Sequence, residues 1–538
     1  MRIRKQKQFN KSFACFIASI VIGNFAQAQV CIPELPANRW LFLAEEQYQQ
    51  GHYQLALQSA NKYLYQPVLS SNPKSKDEQE KAAYYRAASE VKLNTAGCID
   101  TALAVLSSTA NPAYKQRIAY TLAQYYFHHN ELSQATAYYE LAGISNLSNT
   151  ELIDEKFELA YGYFNSRQFD KAEPLFAAIK ELQQGKYFSA GNYYYGLLAY
   201  NENNYKDALQ SFERIKDLPE YRNIVPYYIA EIHYFMGERE QALDYSLKLI
   251  KRPEKLYYDN ELHLLAAQCY FEDQKYNDAL PYFEYYYEHI DKIRKEDLYE
   301  MAYCYYRVKN WNNAIDKFKQ LSSSRDSLGQ TAMYLLGDCY MNTGDKKSAR
   351  NAFGICAEMP YNPGQQEASL ILFAKLSYEM GYNDNALEEL NYLLANFPNS
   401  KYRDEAKTLS SDLLIKTNNY AGAFEQLQDV TTKDATYRHV YQKVTYAYAM
   451  KQFQNGDLEY ADSLLGMSLQ YPEDPVYEAA ANFWRGELAY RMHHFPETIA
   501  YSQAFLNKNV SAASLQYLSP GATAQFVPPL PCVKPYLR

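Results

Sequence analysis

The chain has 538 residues, 47% of them hydrophobic and 22% charged, which is enough to bury several cores and too polar for a membrane bundle. Its 54 Lys and Arg against 62 Asp and Glu give a net charge of −8, the wrong sign for a protein that neutralises phosphates, and no basic block offsets it, so nucleic-acid binding is excluded. With 20 Gly and 21 Pro the chain is neither disordered nor fibrous, while 56 tyrosines require a structural or binding reason.

Residues 1–28 read as a secretory signal peptide: Arg2, Arg4, Lys5, Lys7 and Lys11 precede an apolar run from Phe13 to Ile22, and Ala26-Gln27-Ala28 offers small residues for cleavage. The run is too short to span a bilayer as an uncleaved anchor, and no later stretch reaches about 18 apolar residues. Cys31 follows Ala28-Gln29-Val30, which departs from the Leu-small-small pattern ahead of a lipid-modified cysteine. The expectation is export to the periplasm or the periphery of the outer membrane, with residues 29–37 as a short mature linker.

From there a period governs the chain. A small residue recurs at Ala56, Thr101, Ala135, Ala172, Ala208, Ala242, Ala279, Ala314, Ala349, Ala386, Ala423, Ala461 and Thr498, with a first step of 45 residues and later steps of 34 to 38. Twelve residues before each of these markers lies another small residue: Ala44, Ser89, Ala123, Ala160, Gly196, Ala230, Ala267, Ala302, Gly337, Ala374, Ser411, Ala449 and Gly486. Helices that cross closely need small side chains where their backbones meet, so the fixed offset predicts an antiparallel helix pair and pushes length variation into the loop that follows. Four residues after the marker comes an apolar plug on the same helical face, such as Tyr139, Phe176, Phe212, Phe283, Phe318, Phe353, Leu390, Leu427 and Leu465. Gly51, Gly237, Gly344, Gly381 and Gly456 fit the turn within a pair, and Pro219, Pro253, Pro360, Pro398 and Pro472 stop the second helix.

These residues resemble the tetratricopeptide repeat, a 34-residue unit with small residues at its eighth and twentieth positions and an aromatic at the twenty-fourth. The resemblance covers residues 38–507 in about thirteen units, most of them longer than 34 residues and largely without the early tryptophan. It implies an all-α solenoid, a right-handed superhelix of helix pairs. Ser70 to Lys76, inside the 45-residue step, reads as a tolerated polar loop, and residues 508–538 form an irregular Pro-rich tail with no capping helix, which suits either a truncated product or a tail folded over the last repeat.

No catalytic motif emerges: there is no GK[ST] phosphate loop, HExxH, GxSxG, CxxC or GxGxxG, so the expectation is a non-enzyme without cofactor or metal. Cys269, Cys304 and Cys339 hold one position in three consecutive units, as a thiol ladder or, more simply, as small apolar packing residues. Cys31 could bridge Cys98 in an oxidising compartment. The doublets His128-His129 and His493-His494 end first helices, where they serve as dipole partners or, less simply, as metal ligands.

The aromatic residues carry the functional reading. In the family, positions five and twelve of the unit sit on the first helix and face the concave groove. The resemblance thus implies partner-binding residues at Tyr120, Phe157, Tyr193, Tyr227, Tyr299 and Tyr334 (position five) and Tyr200, Tyr234, Tyr306 and Tyr378 (position twelve). Tyrosine joins a rigid contact face to a hydroxyl, which suits peptide or glycan recognition, and the same rings suit packing between neighbouring repeats. The function expected is a non-catalytic protein–protein interaction scaffold of the cell envelope that binds peptides or helices of partner proteins. The alternatives are a carbohydrate- or peptidoglycan-binding envelope protein and a fragment of a longer envelope or secretion complex component.

Overall fold

The computed structural model describes residues 37–66, 75–182, 185–508 and 510. The predicted signal segment, Cys31, the loop at 67–74 and the tail beyond 510 lie outside them. The described residues form 26 α-helices and no strand, paired as the period predicts, and they fall into two compact units, Met1–Leu218 and Pro219–Arg538.

The first unit holds α1 (Ala37–Gln49), α2 (Tyr53–Tyr65), α3 (Lys76–Leu93), α4 (Cys98–Ser108), α5 (Pro112–His128), α6 (Leu132–Ala142), α7 (Asn149–Asn165), α8 (Phe169–Lys180), α9 (Phe188–Asn201) and α10 (Tyr205–Glu213). The second holds α11 (Val225–Phe235), α12 (Arg239–Ile250), α13 (Asp259–Glu272), α14 (Tyr276–His289), α15 (Lys295–Arg307), α16 (Trp311–Gln320), α17 (Ser327–Thr343), α18 (Lys346–Ala357), α19 (Pro363–Glu379), α20 (Asn383–Asn396), α21 (Arg403–Lys416), α22 (Tyr420–Gln428), α23 (Ala435–Asn455), α24 (Leu458–Ser468), α25 (Pro475–Arg491) and α26 (Phe495–Leu506).

Each pair is locked by the small residues and the plug. Ala56, Ala172, Ala208, Ala279 and Ala314 on the second helices are fully buried, as are Ala44, Ala160, Ala267 and Ala302 on the first helices and the plugs Phe176, Phe212, Phe283 and Phe318. In two pairs the helices approach closely enough that a methyl group would not fit. A Cβ on Gly196 would lie 2.7 Å from the Phe212 ring and one on Gly337 2.6 Å from the Phe353 ring.

The turn within a pair has one conformation in all but the second pair. The residue five before the marker is left-handed, and the next N–H donates to the carbonyl five residues back, as from His52 to Gln47 (2.8 Å) and from Glu238 to His233 (2.9 Å). Glycine fills this site at Gly51, Gly237, Gly344, Gly381 and Gly456, but Asn130, Arg167, Asn203, Gln274, Lys309, Asn418 and His493 occupy it elsewhere. A side chain in that conformation strains against the backbone. Arg167→Gly, Gln274→Gly and Lys309→Gly are each expected to stabilise their own helix pair by about 0.5–1 kcal/mol, read as slower hydrogen exchange of its amides, with smaller gains at the asparagines. Unchanged exchange in all three variants would show the turn to be unstrained.

The second pair corrects the sequence reading. Its turn contains two left-handed residues, Asn94 and Gly97, and the following helix is slipped by one. Ala102, fully buried, takes the place expected for Thr101, which is half-buried with its hydroxyl donating to the Gly97 carbonyl (3.3 Å).

Stacking joins neighbours only. Within each unit every second helix packs on the next first helix, as α2 on α3 and α12 on α13. Consecutive first helices also meet, α1 with α3 and α3 with α5 in the first unit, α11 with α13, α13 with α15 and α15 with α17 in the second. Consecutive second helices make no comparable contact. Within each unit the first helices therefore line the inner side of the stack.

Candidate functional site

On the inner side of the second unit, α13, the turn after it, the start of α14 and α15 enclose an open cavity of about 480 Å³. Its lining is Phe271, Glu272, Gln274, Tyr276, Tyr299, Tyr303 and Arg307. Tyr299, Tyr303 and Arg307 are four residues apart on α15, so successive turns present them on one face. Phe271 comes from the last turn of α13 and Tyr276 from the first residue of α14, brought together by the left-handed Gln274 between them.

Three rings form a mutually perpendicular set: Phe271 with Tyr276 (5.8 Å between centroids), Phe271 with Tyr303 (5.8 Å) and Tyr276 with Tyr303 (5.7 Å). Edge-to-face pairs of this kind hold their orientation before any ligand arrives. Tyr299 stacks on Tyr303 at 6.0 Å, and burial pushes its hydroxyl up to about 12, so it stays a neutral donor. The Arg307 guanidinium lies over Tyr276 (4.6 Å) and beside Tyr303 (5.7 Å), and its Nη1 donates to both hydroxyls at 3.1 Å. Glu272 pairs with Arg239 at 2.5 Å and accepts from the Tyr234 hydroxyl.

Of the ten residues implied as partner-binding, Tyr299 lines this cavity, and Tyr306 borders it, 6.0 Å from Tyr303 and 5.6 Å from Trp311. Tyr234, Tyr306 and Tyr378 share a further feature: each hydroxyl donates into the next pair, to Glu272, to Asp338 (2.8 Å) and to Asp412 (2.5 Å). Their polar ends are committed to stacking, and only ring faces are left for a partner. Tyr334 meets the plug Phe353 edge-on at 6.0 Å, and Tyr193 and Tyr200 are half-buried beside Tyr194 and Tyr205. Tyr120, Phe157 and Tyr227 are packing elements, 3%, 8% and 4% exposed. Tyr120 meets Tyr139, Phe157 stacks on Tyr187 (4.1 Å) and Tyr227 lies on Tyr258 (4.6 Å). Phe157 and Tyr227 turn toward the following pair, which supplies a matching aromatic, whereas Tyr120 packs on the plug of its own pair.

Tyr276, Tyr303 and Arg307 are additions that positions five and twelve do not cover. The signal was in the sequence: Tyr299, Tyr303 and Arg307 make a four-residue spacing that only a helix reads as one face.

The other chemical candidates are packed away. Cys269, Cys304 and Cys339 are buried, and desolvation pushes each thiol up to about 12, which keeps it protonated and unreactive. Cys98 is also buried as a free thiol. The rings of His128 and His129 each bond a carbonyl one turn back, at 2.7 and 2.8 Å, and His493 occupies the left-handed turn site. Among the described residues no group of three or more His, Cys, Asp or Glu side chains is arranged to hold a metal ion, and no helix is long and apolar enough to cross a membrane.

Comparison with known proteins matches residues 157–222 to the tetratricopeptide repeat family and residues 272–356, which include the cavity lining from Glu272 to Arg307, to the family described as anaphase-promoting complex, cyclosome, subunit 3. No curated protein matches the sequence. Among solved structures the chain is similar to YrrB, a tetratricopeptide-repeat protein described as having an unusual peptide-binding site, with 17% identity over 36% of this chain and 95% of that one (TM-score 0.30). A tetratricopeptide-repeat protein from Parabacteroides merdae is 18% identical over 48% of this chain and 99% of its own (TM-score 0.30). The C-terminal part of a repeat-containing protein from Cytophaga hutchinsonii is 17% identical over 53% and 98% (TM-score 0.30).

Proposed function

This chain is a tetratricopeptide-repeat protein, a protein–protein interaction scaffold by its repeats, and on that premise we propose that it binds extended peptide segments of partner proteins along the inner side of its second unit, without catalysing a reaction. The observation that carries this reading is the preset aromatic cavity of Phe271, Tyr276 and Tyr303 under Arg307. Rigid rings with two rotatable bonds offer contact area at low entropic cost, and their orientation is already fixed by one another. The cell envelope is the proposed place of action, supported by the basic, apolar and Ala-Gln-Ala segments of residues 1–28.

A photo-crosslinking amino acid in place of Tyr303 tests both parts in the expressing cell, with the half-exposed Tyr392 on the second helix α20 as the control position. The expected result is a discrete protein adduct from position 303 and none from 392, recovered from the envelope fraction on a chain that begins at Gln29. Adducts of equal yield from both positions, or from 392 alone, reject the inner side as the binding face; a cytoplasmic chain that keeps residues 1–28 rejects the location.

A further inference from the structure

Several arginines in the second unit are spent on carboxylates. Arg239 pairs with Glu272 at 2.5 Å, Arg294 with Asp297 at 2.6 Å, Arg438 with Glu473 at 2.5 Å, Arg485 with Asp462 at 2.8 Å and Arg491 with Glu487 at 2.9 Å. Arg307 differs. Among the described residues no carboxylate lies within ion-pair distance of it, although Glu272 lines the same cavity, and the pairing of Glu272 with Arg239 explains why.

What holds Arg307 instead is two tyrosines. One nitrogen, Nη1, is bound to both the Tyr276 and Tyr303 hydroxyls, and the plane rests over the Tyr276 ring. That leaves Nε and Nη2, the edge a guanidinium uses to grip a carboxylate with two parallel bonds, without a protein acceptor. The side chain is exposed, yet its orientation is set by three contacts, so little conformational freedom is left to lose on binding. The apolar floor beside it, Phe271 and Tyr299, has room for a neighbouring side chain.

We propose that this cavity selects an acidic side chain of the bound peptide, its carboxylate on the free edge of Arg307 and an adjacent apolar or aromatic side chain on the Phe271–Tyr303 rings. The proposal rests on the reading of the inner side as a peptide-binding face and names what that face reads. Phosphate recognition is disfavoured because a group carrying nearly two charges draws on several cations, and Arg307 is the one cationic side chain among the described residues lining this cavity, whereas one guanidinium balances one carboxylate.

The test is a random peptide display selection on the full chain and on Arg307→Gln, followed by fluorescence anisotropy on a recovered peptide and its Asp→Asn or Glu→Gln counterpart. The wild type is expected to enrich Asp or Glu next to an apolar residue about threefold over the variant, and neutralising that acid to weaken binding about tenfold in the wild type and not in Arg307→Gln. Arg307→Lys should recover only part of the difference, since it supplies the charge without the fork. Peptides recovered with the same acid content from both proteins overturn the carboxylate assignment and leave peptide binding standing. Failure of the wild type to recover any peptide above bare support overturns the peptide-binding reading, and this inference with it. Because Arg307 is exposed, unchanged thermal unfolding of Arg307→Gln is the expected control.

Discussion

Gly337→Ala is expected to loosen the α17–α18 pair by about 2 kcal/mol, a large effect for a single methyl group. The new Cβ would lie 2.6, 2.7 and 2.8 Å from three atoms of the Phe353 ring, which is itself 1% exposed and wedged between helices. Such a ring does not swing aside as a surface chain would, so either the helices separate or Phe353 leaves its rotamer. Ala267 and Ala302, buried at the same position in pairs plugged by Phe283 and Phe318, show that other pairs accept a methyl group at this site. Phe353→Leu, matching the leucine plugs Leu390 and Leu427, should relieve the strain, making the double variant more stable than the sum of the single changes. Hydrogen exchange of the α17 and α18 amides is the readout, because an array of repeats does not unfold as one two-state body. Wild-type protection in Gly337→Ala would mean that the close approach is not what fixes this pair.

The second large effect concerns Glu155 on α7. It is 4% exposed, one of its carboxyl oxygens has no hydrogen-bond partner, and burial pushes its pKa up to about 7 against a weaker opposing pull from Lys156. In the equivalent place of other first helices stand Ile118, Val225, Leu262 and Val444, all buried. An unfolded glutamate releases its proton near 4.3, so between there and about 7 the folded chain binds more protons than the unfolded chain and stability falls as pH rises. The loss is complete above pH 7. Glu155→Leu is expected to stabilise α6–α8 by about 2–3 kcal/mol at pH 8 and to change little near pH 4.5. Hydrogen exchange over these helices at the two pH values, corrected for intrinsic rates, measures it; a gain of equal size at both would assign the effect to packing and not to ionisation.

Much of this was legible because the repeat writes its geometry into residue size. Alanine, glycine or serine at two fixed positions and a plug four residues on are direct consequences of two helices meeting closely, and the pairs follow from them. The slip at Ala102 was hidden because Thr101 is also small enough to pass, and only the extra left-handed residue in the turn distinguishes them. The turn itself was half visible: five glycines marked it, while Arg167, Gln274 and Lys309 adopt the same conformation against their preference, carried by the hydrogen bonds on either side. The division after Leu218 had no signal, since the markers Ala208 and Ala242 keep an ordinary step of 34 across it. In the cavity, positions five and twelve found Tyr299 and Tyr306 but could not say which rings turn inward, because that depends on what the neighbouring pair offers. Phe157 finds Tyr187 and is buried, whereas Tyr303 finds Arg307 and remains in the open cavity.

Stacking that joins neighbours only also has a kinetic consequence. Among the described residues, the side-chain hydrogen bonds between pairs link residues no more than 40 apart, as from Tyr85 to Glu45. Closing a loop costs more with length, by about 0.6 kcal/mol per doubling, so stacking the described pairs within each unit does not pay the entropy of bringing distant segments together. Within each unit, folding speed should therefore track a single pair and its neighbour and not the length of the chain, with each pair able to dock as soon as the one before it has formed.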